Sequence, residues 1–327
     1  MPRRYDNAAM RAIQITQKGG PEVMQVRDVP EPEPGDGELL VAVEAAGVNY
    51  RDVYEREGRG AAYGKAPLPL IVGAEGAGTV LRGGGEFSEG DRVGWVTAPG
   101  SYADRVVVKV ADAVPLPDGT SAELAAAVLL QGMTAHYLCV STYAVQPGDD
   151  VLILAAAGGV GLLLIQMVKA RGGRVIAVTS TEEKAQLARG AGADETLGYE
   201  GFSERARELT GGVAVVYDSV GATTFEDGID ALRPRGMMVL FGQSAGPAPA
   251  YDPQRLQARS LYITRPGLPN YTATREELLE RAGDVLGWVA DGSLDVRIGG
   301  RYPLEDARRA HEDLEARRTT GKLLLIP

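Results

Sequence analysis

The chain has 327 residues, a length that predicts two domains, and its 24% charged and 44% hydrophobic residues are a globular balance that excludes gross disorder. A net charge of −10 argues against nucleic acid as a partner, and the single cysteine, Cys139, excludes an internal disulfide and fits a reducing cytoplasm. No apolar run in the sequence reaches the roughly 18 residues of a membrane span, because the longest candidate, 151–168, is broken by Gly158, Gly159 and Gly161, so no membrane partner is expected.

The first third reads as β-structure. Short apolar runs at 39–43, 78–81, 91–96 and 102–110 are separated by turns such as Pro34-Gly35-Asp36-Gly37 and Gly83-Gly84-Gly85. Short strands at this spacing predict a barrel or sandwich. The 43 glycines follow no Gly-X-Y period, which excludes collagen and leaves tight turns as their use.

The pattern changes after Pro117. Ser121 is placed to cap a helix over 123–130, and a second helix is expected over 133–143. Strand–helix alternation then begins at the turn Pro147-Gly148-Asp149-Asp150. Strands are expected at 151–155, 174–179, 195–198, 213–217, 237–241 and 261–264. Helices are expected at 159–171, 181–189, 202–209 and 224–232. Such alternation predicts a doubly wound parallel α/β sheet. The tail adds helices at 275–290 and 304–317 and a last strand at 323–326.

The strongest signal is Val151-Leu152-Ile153-Leu154-Ala155-Ala156-Ala157-Gly158-Gly159-Val160-Gly161. Ala156, Gly158 and Gly161 fall at the three glycine positions of a dinucleotide-binding turn, here in its required context between a strand and a helix. Gly158 lets backbone approach a pyrophosphate, Gly161 lets helix and strand pack closely, and the helix N-terminus favours the anion. An NAD site places an acid about 20 residues further on. Here that strand ends Val178-Thr179-Ser180, and Lys184, one of six lysines against 28 arginines, follows one helical turn later. Lys184 with Ser180 suits a 2′-phosphate, so the residues point to NADPH.

Metal and hydrolase chemistry find few donors. The whole chain offers Cys139, His136 and His311, too few for a zinc site of the usual cysteine and histidine ligands, so no metal is expected. A serine hydrolase's histidine base would have to be His136 or His311, and neither is well placed.

Taken with Asn49-Tyr50-Arg51-Asp52-Val53-Tyr54, Gly73-Ala74-Glu75-Gly76-Ala77-Gly78, Gly90-Asp91-Arg92-Val93, Tyr217-Asp218-Ser219-Val220-Gly221, Phe241-Gly242 and Ile263-Thr264-Arg265-Pro266, the sequence resembles the zinc-free, zeta-crystallin-like NADPH:quinone oxidoreductases of the medium-chain dehydrogenase/reductase superfamily, from about Met10 to Pro327. The resemblance implies a GroES-like β-barrel catalytic domain at 1–131, with 1–9 a loose extension. It implies a Rossmann NADPH-binding domain at 132–265, a return to the catalytic domain at 266–327, and homodimers joined through the cofactor domains. It also implies roles for single residues. Asn49 and Tyr54 would meet the nicotinamide end and Tyr63 the same mouth, making these three the catalytic candidates. Thr134 would lie near the nicotinamide ribose. Gly158, Gly159 and Val160 would hold the pyrophosphate, and Ser180, Lys184 and Tyr199 the 2′-phosphate. Ser219, Phe241 and Gly242 would flank the cofactor, with Ser244 and Arg317 as further polar contacts. Gln131 stands where the closest pattern has a lysine.

Reduction of a quinone yields an aromatic ring and needs little acid catalysis, which suits a chain without a well-placed histidine; Tyr54 is the expected donor to the acceptor oxygen. The rival readings are a 2-alkenal or enone reductase on the same fold, an NADPH-binding protein with a structural or RNA-binding role, and an enoyl reductase module.

Overall fold

In the computed structural model, residues 9–59 and 63–327 are described, so the expected N-terminal extension lies outside them except for Ala9. Ala9 belongs to a strand and pairs with Pro30. By its contacts the chain divides into two units, 1–130 with 298–327, and 131–297.

The first unit is built on β1 (Ala9–Ile15), β2 (Gln25–Pro30), β3 (Glu38–Val48), α1 (Tyr50–Glu57), β4 (Leu70–Ile71), β5 (Glu75–Arg82), β6 (Arg92–Trp95), β7 (Arg105–Lys109) and β8 (Val114–Pro115). One sheet runs β2-β1-β4 and is antiparallel. The other centres on β3, which pairs with β5 along one side and with β7 along the other. Trp95, Tyr102, Ile13, Leu39 and Val93 fill the core between them. This is the barrel-type arrangement expected of short strands whose sheets must bury one face each.

Helix α2 (Ala122–Tyr137) begins with Ser121 Oγ accepting from Leu124 N at 3.1 Å, as expected. The break anticipated near Gly132 is absent. The helix runs through and widens only at a π-turn over Leu138–Thr142. One glycine costs a helix about 1 kcal/mol, and burial of Met133, Ala135, Leu138 and Cys139 outweighs it. The combined Ala122–Thr142 stretch is long and apolar enough to match a membrane span, which the sequence runs did not suggest; 72% of its most apolar window is buried inside the protein, as in a core helix.

The second unit carries β9 (Asp150–Leu154), α3 (Gly159–Ala170), β10 (Arg174–Val178), α4 (Glu182–Gly190), β11 (Glu195–Leu197), α5 (Phe202–Thr210), β12 (Val213–Asp218), α6 (Phe225–Ala231), β13 (Leu232–Leu240), β14 (Tyr262–Thr264) and α7 (Arg275–Ala290). Its six strands are all parallel in the order β11-β10-β9-β12-β13-β14. That is the 3-2-1-4-5-6 order of a doubly wound sheet, whose direction reverses between β9 and β12. The unit extends to Arg297 rather than ending at 265 as the sequence suggested. The reason lies in the packing of α7 and its flanks. Tyr271 stacks on Tyr137 at 4.3 Å, Arg281 donates to His136 Nδ1 at 2.9 Å, and the Asp295 N–H donates to Gln166 Oε1 at 2.8 Å.

The chain then re-enters the first unit through β15 (Ile298–Pro303), α8 (Ala307–Glu315) and β16 (Lys322–Ile326). β16 pairs parallel with β15 and antiparallel with β3, completing the larger sheet.

Candidate active site

In the second unit the candidate residues gather at the carboxyl ends of the strands. β9 ends in a turn where Ala155 takes a left-handed conformation, φ 51°, and its N–H donates to Tyr199 Oη at 3.1 Å. Gly158 is the N-cap of α3, and no side chain caps that helix end. The donors of a helix's first turn lack intrahelical partners, and with the helix dipole they form an anion site. Gly161 cannot be another residue without a shift, since a Cβ there would lie 2.5 Å from Ala156 O and 2.8 Å from Ala155 O. Gly159 is covered by the Gln131 side chain, whose amide occupies the space a Cβ would need. Gln131 is therefore beside the turn, a placement that its departure from the lysine pattern did not reveal.

At the end of β10, Ser180 and Lys184 come together, with Lys184 Nζ donating to Ser180 Oγ at 3.3 Å. Thr181 caps α4 by accepting from Lys184 N at 3.3 Å, which holds Lys184 on the first turn facing the strand end. Thr181 was missed as a site-shaping residue, although a threonine three residues before an amphipathic run is a capping signal.

The ends of β12 and β13 are zipped together. Ser219 O accepts from Ser244 N at 3.0 Å, and Asp218 O accepts from Phe241 N at 2.8 Å. Gly242 lies so close that a Cβ would meet Ser219 O at 2.6 Å. Buried Asp218 accepts from Val220 N at 2.6 Å, Gly221 N at 3.0 Å and Thr224 Oγ1 at 2.8 Å, shaping the loop after β12. Burial nevertheless holds its carboxyl above the ordinary range, against the pull of those bonds. Thr134 lies on α2, 8% exposed. The structure thus brings Gly158, Gly159, Val160, Ser180, Lys184, Ser219, Phe241, Gly242 and Ser244 to one edge of one sheet, with Tyr199 bonded to the turn after β9.

In the first unit, Asn49 is the N-cap of α1, and its N–H donates to Asp52 Oδ2 at 2.9 Å. Tyr54 is 5% exposed and sits between Tyr50 and Tyr63, with ring centroids 6.1 and 5.7 Å away. Arg51 lies over the Tyr63 ring and Arg59 over the Tyr54 ring, each at 5.9 Å. This is an aromatic cluster edged by guanidinium groups. Arg317 is exposed in a left-handed turn after α8, three residues beyond Leu314, whose carbonyl accepts from Tyr50 Oη at 3.1 Å.

Beneath α1 runs a buried polar chain. Tyr102 Oη donates to Asp52 Oδ2 at 2.9 Å and lies 3.3 Å from His311 Nε2. Arg56 donates to His311 Nδ1 at 2.9 Å and to Glu315 Oε1 at 2.8 Å. Burial and the facing Arg56 push the His311 imidazole down to about 3, so it is neutral. Burial raises the Asp52 carboxyl, although Arg51 and three further partners oppose it. None of these pairings was legible from sequence, since Arg56 and His311 are 255 residues apart.

The metal donors are engaged elsewhere. His136 meets Asp284 at 3.0 Å and Arg281 at 2.9 Å through its two ring nitrogens. Cys139 is buried, which pushes its thiol up to about 12. Among the described residues, no three of His, Cys, Asp and Glu come together as a metal site.

Comparison with known proteins places both units. Residues 35–118 match the family model described as alcohol dehydrogenase GroES-like domain, and 159–282 match that described as zinc-binding dehydrogenase. The chain is 44% identical to a quinone oxidoreductase of Pseudomonas aeruginosa, over 97% of this chain and 99% of that one. It is similar to the solved structure of a mycobacterial protein complexed with NADPH, at 46% identity and a TM-score of 0.94, covering 97% of this chain and 100% of that one. It is also similar to Escherichia coli quinone oxidoreductase complexed with NADPH, at 40% identity and a TM-score of 0.93, with the same coverage.

Proposed function

The chain belongs to the quinone oxidoreductase family of the medium-chain dehydrogenases/reductases, and from that premise we propose that it is a metal-independent, NADPH-dependent reductase of small quinones. The observation that carries the cofactor assignment is Lys184 Nζ set 3.3 Å from Ser180 Oγ at the end of β10, where an NAD site would carry an acid. These two groups take the 2′-phosphate, with Tyr199 beside the turn. The uncapped start of α3 fits a pyrophosphate, which Gly158, Gly159 and Val160 meet through backbone N–H groups. Thr134 serves the nicotinamide ribose. Ser219, Phe241, Gly242 and Ser244 form a tight wall along the same strand ends, and Arg317 adds a polar contact. NADPH, when bound, supplies the hydride.

The chain's own residues supply orientation and charge stabilisation. Asn49 meets the nicotinamide end. Tyr54 donates to the acceptor oxygen, and Tyr63 presents an aromatic face to the acceptor ring. Tyrosine polarises an oxygen without having to ionise, and reduction of a quinone asks no more. The metal-free reading is supported by the donor set, since both histidines are committed to arginine and carboxylate or phenol partners. The protein acts as a cytoplasmic homodimer joined through the second units, whose sheet ends in the edge strand β14 with Tyr262 57% exposed.

Dissociation constants for NADPH and NADH test the assignment. A charge-assisted bond of about 1.5–3 kcal/mol predicts a 10- to 100-fold preference for NADPH. Lys184→Ala brings the two constants together; an unchanged ratio refutes the role of Lys184.

A further inference from the structure

Lys322 opens β16 ahead of three leucines, and only 1% of it is exposed. A buried ammonium requires partners. Its Nζ donates to Asn49 Oδ1 at 2.8 Å and forms a short ion pair with Glu75 Oε2. Glu75 is itself fully buried. Its Oε1 accepts from Leu130 N at 2.8 Å, and its Oε2 accepts from Asn49 Nδ2 at 2.7 Å. Asn49 Nδ2 gives a further bond to Gly47 O at 3.2 Å. The pairing of Leu323 with Val48 in adjacent strands sets Lys322 next to the start of α1.

These charges choose the orientation of the Asn49 amide. An ammonium only donates and a carboxylate only accepts. Turning the amide over would set its NH2 against the ammonium and its oxygen against the carboxylate, replacing two charge-assisted attractions with two repulsions. Both amide hydrogens are thereby committed inside the protein. Any bond the amide makes to a bound molecule is one it accepts at Oδ1.

We propose that Lys322 and Glu75 are positioning residues for the reaction. They lock the Asn49 carboxamide as an acceptor, so that Asn49 recognises a hydrogen-bond donor of the nicotinamide nucleoside, an amide N–H or a ribose hydroxyl, and holds the ring by it. The inference rests on the reading above that Asn49 meets the nicotinamide end. Lys322 and Glu75 touch no reactant themselves and act through Asn49.

The test is a mutant cycle in the full chain. Lys322→Met alone strands a buried carboxylate, so the pair is removed together as Glu75→Gln/Lys322→Met, with thermal unfolding recorded in parallel. Asn49→Ala and the triple variant complete the cycle. The readouts are kcat and KM with a small para-quinone and the dissociation constant of NADPH. Asn49→Ala and the double variant each lower kcat/KM by tenfold or more, and the triple variant falls no more than about threefold below either, because one interaction is removed twice. Multiplying effects, or wild-type kcat/KM in the double variant, overturn the inference and leave the role of Asn49 standing. A silent Asn49→Ala overturns the underlying reading of Asn49, and the inference with it. Wild-type protein gives a second test, in which the Asn49→Ala variant serves only to identify the signals. The Asn49 Nδ2 protons, identified in NMR spectra by their loss in Asn49→Ala, exchange slowly with solvent and stay protected when NADPH binds. Rapid exchange of either proton contradicts the lock.

Discussion

Replacing His311 with glutamine isolates one buried charge decision. In the native protein Tyr102 has a single hydroxyl proton and gives it to Asp52 Oδ2. His311 Nε2, 3.3 Å from that hydroxyl, must then be the donor of their contact, and Nδ1 must be the acceptor from Arg56. Protonating Nδ1 would point an N–H at a guanidinium in a fully buried site, which is why the imidazole titrates near 3 instead of 6.5. Between these values the unfolded chain binds a proton that the native state refuses. Stability from this group is therefore complete above pH 6.5, erodes as the pH falls below it, and is fully lost below about 3. From pH 7 to pH 5 the loss is about 2 kcal/mol. A glutamine reproduces both bonds, accepting from Arg56 and donating to Tyr102, and does not titrate. Urea unfolding at pH 7 and pH 5 should show His311→Gln losing about 2 kcal/mol less than wild type. The raised Asp52 carboxyl is present in both proteins and cancels in the difference. Equal losses in the two proteins would refute the assigned tautomer and the burial argument together.

Other outcomes follow from single contacts. Gly161→Ala forces a Cβ against Ala156 O and displaces the start of α3; NADPH titrations should show at least tenfold weaker binding, with stability lower by about 1–3 kcal/mol. Tyr54→Phe should lower kcat with a small para-quinone, and unchanged kcat and KM would remove Tyr54 as the donor. Tyr262→Lys at the edge of the six-stranded sheet should shift the mass measured by light scattering from dimer towards monomer; a dimer of unaltered stability would place the interface elsewhere.

The second unit was the legible part of the chain. Its central strands β9, β10 and β12 are buried and read as continuous apolar runs, as Val151-Leu152-Ile153-Leu154 does. Its turns are glycine-marked for reasons that the Gly161 contact with Ala156 O makes concrete. Helix α2 misled because Gly132 reads as a stop, while the decisive term, burial of the residues beyond it, is tertiary. Strand β15 was invisible because its Gly299, Gly300 and Pro303 look like loop, although a Cβ on Gly299 would strike Thr320 O across the strand pair. Helix α1 carries five charged residues in eight, which mask its short apolar face of Tyr50, Val53 and Tyr54. It is held by polar partners such as His311 and Glu315 that lie more than 250 residues away. A separation of 247 residues hid the pairing of Lys322 with Glu75, although a lysine at the head of Leu323-Leu324-Leu325 is a signal that a buried charge needs a partner.

Metal-independent reduction of a quinone by NADPH is tested by following NADPH absorbance in chelator-treated protein with a small para-quinone and, in parallel, with an α,β-unsaturated ketone of similar size, repeating both with NADH. A metal-independent quinone reductase shows rapid quinone-dependent loss of NADPH, slow reaction with NADH and weak reduction of the enone. Fast enone reduction with a sluggish quinone, or activity that returns only on adding a metal, would contradict that function.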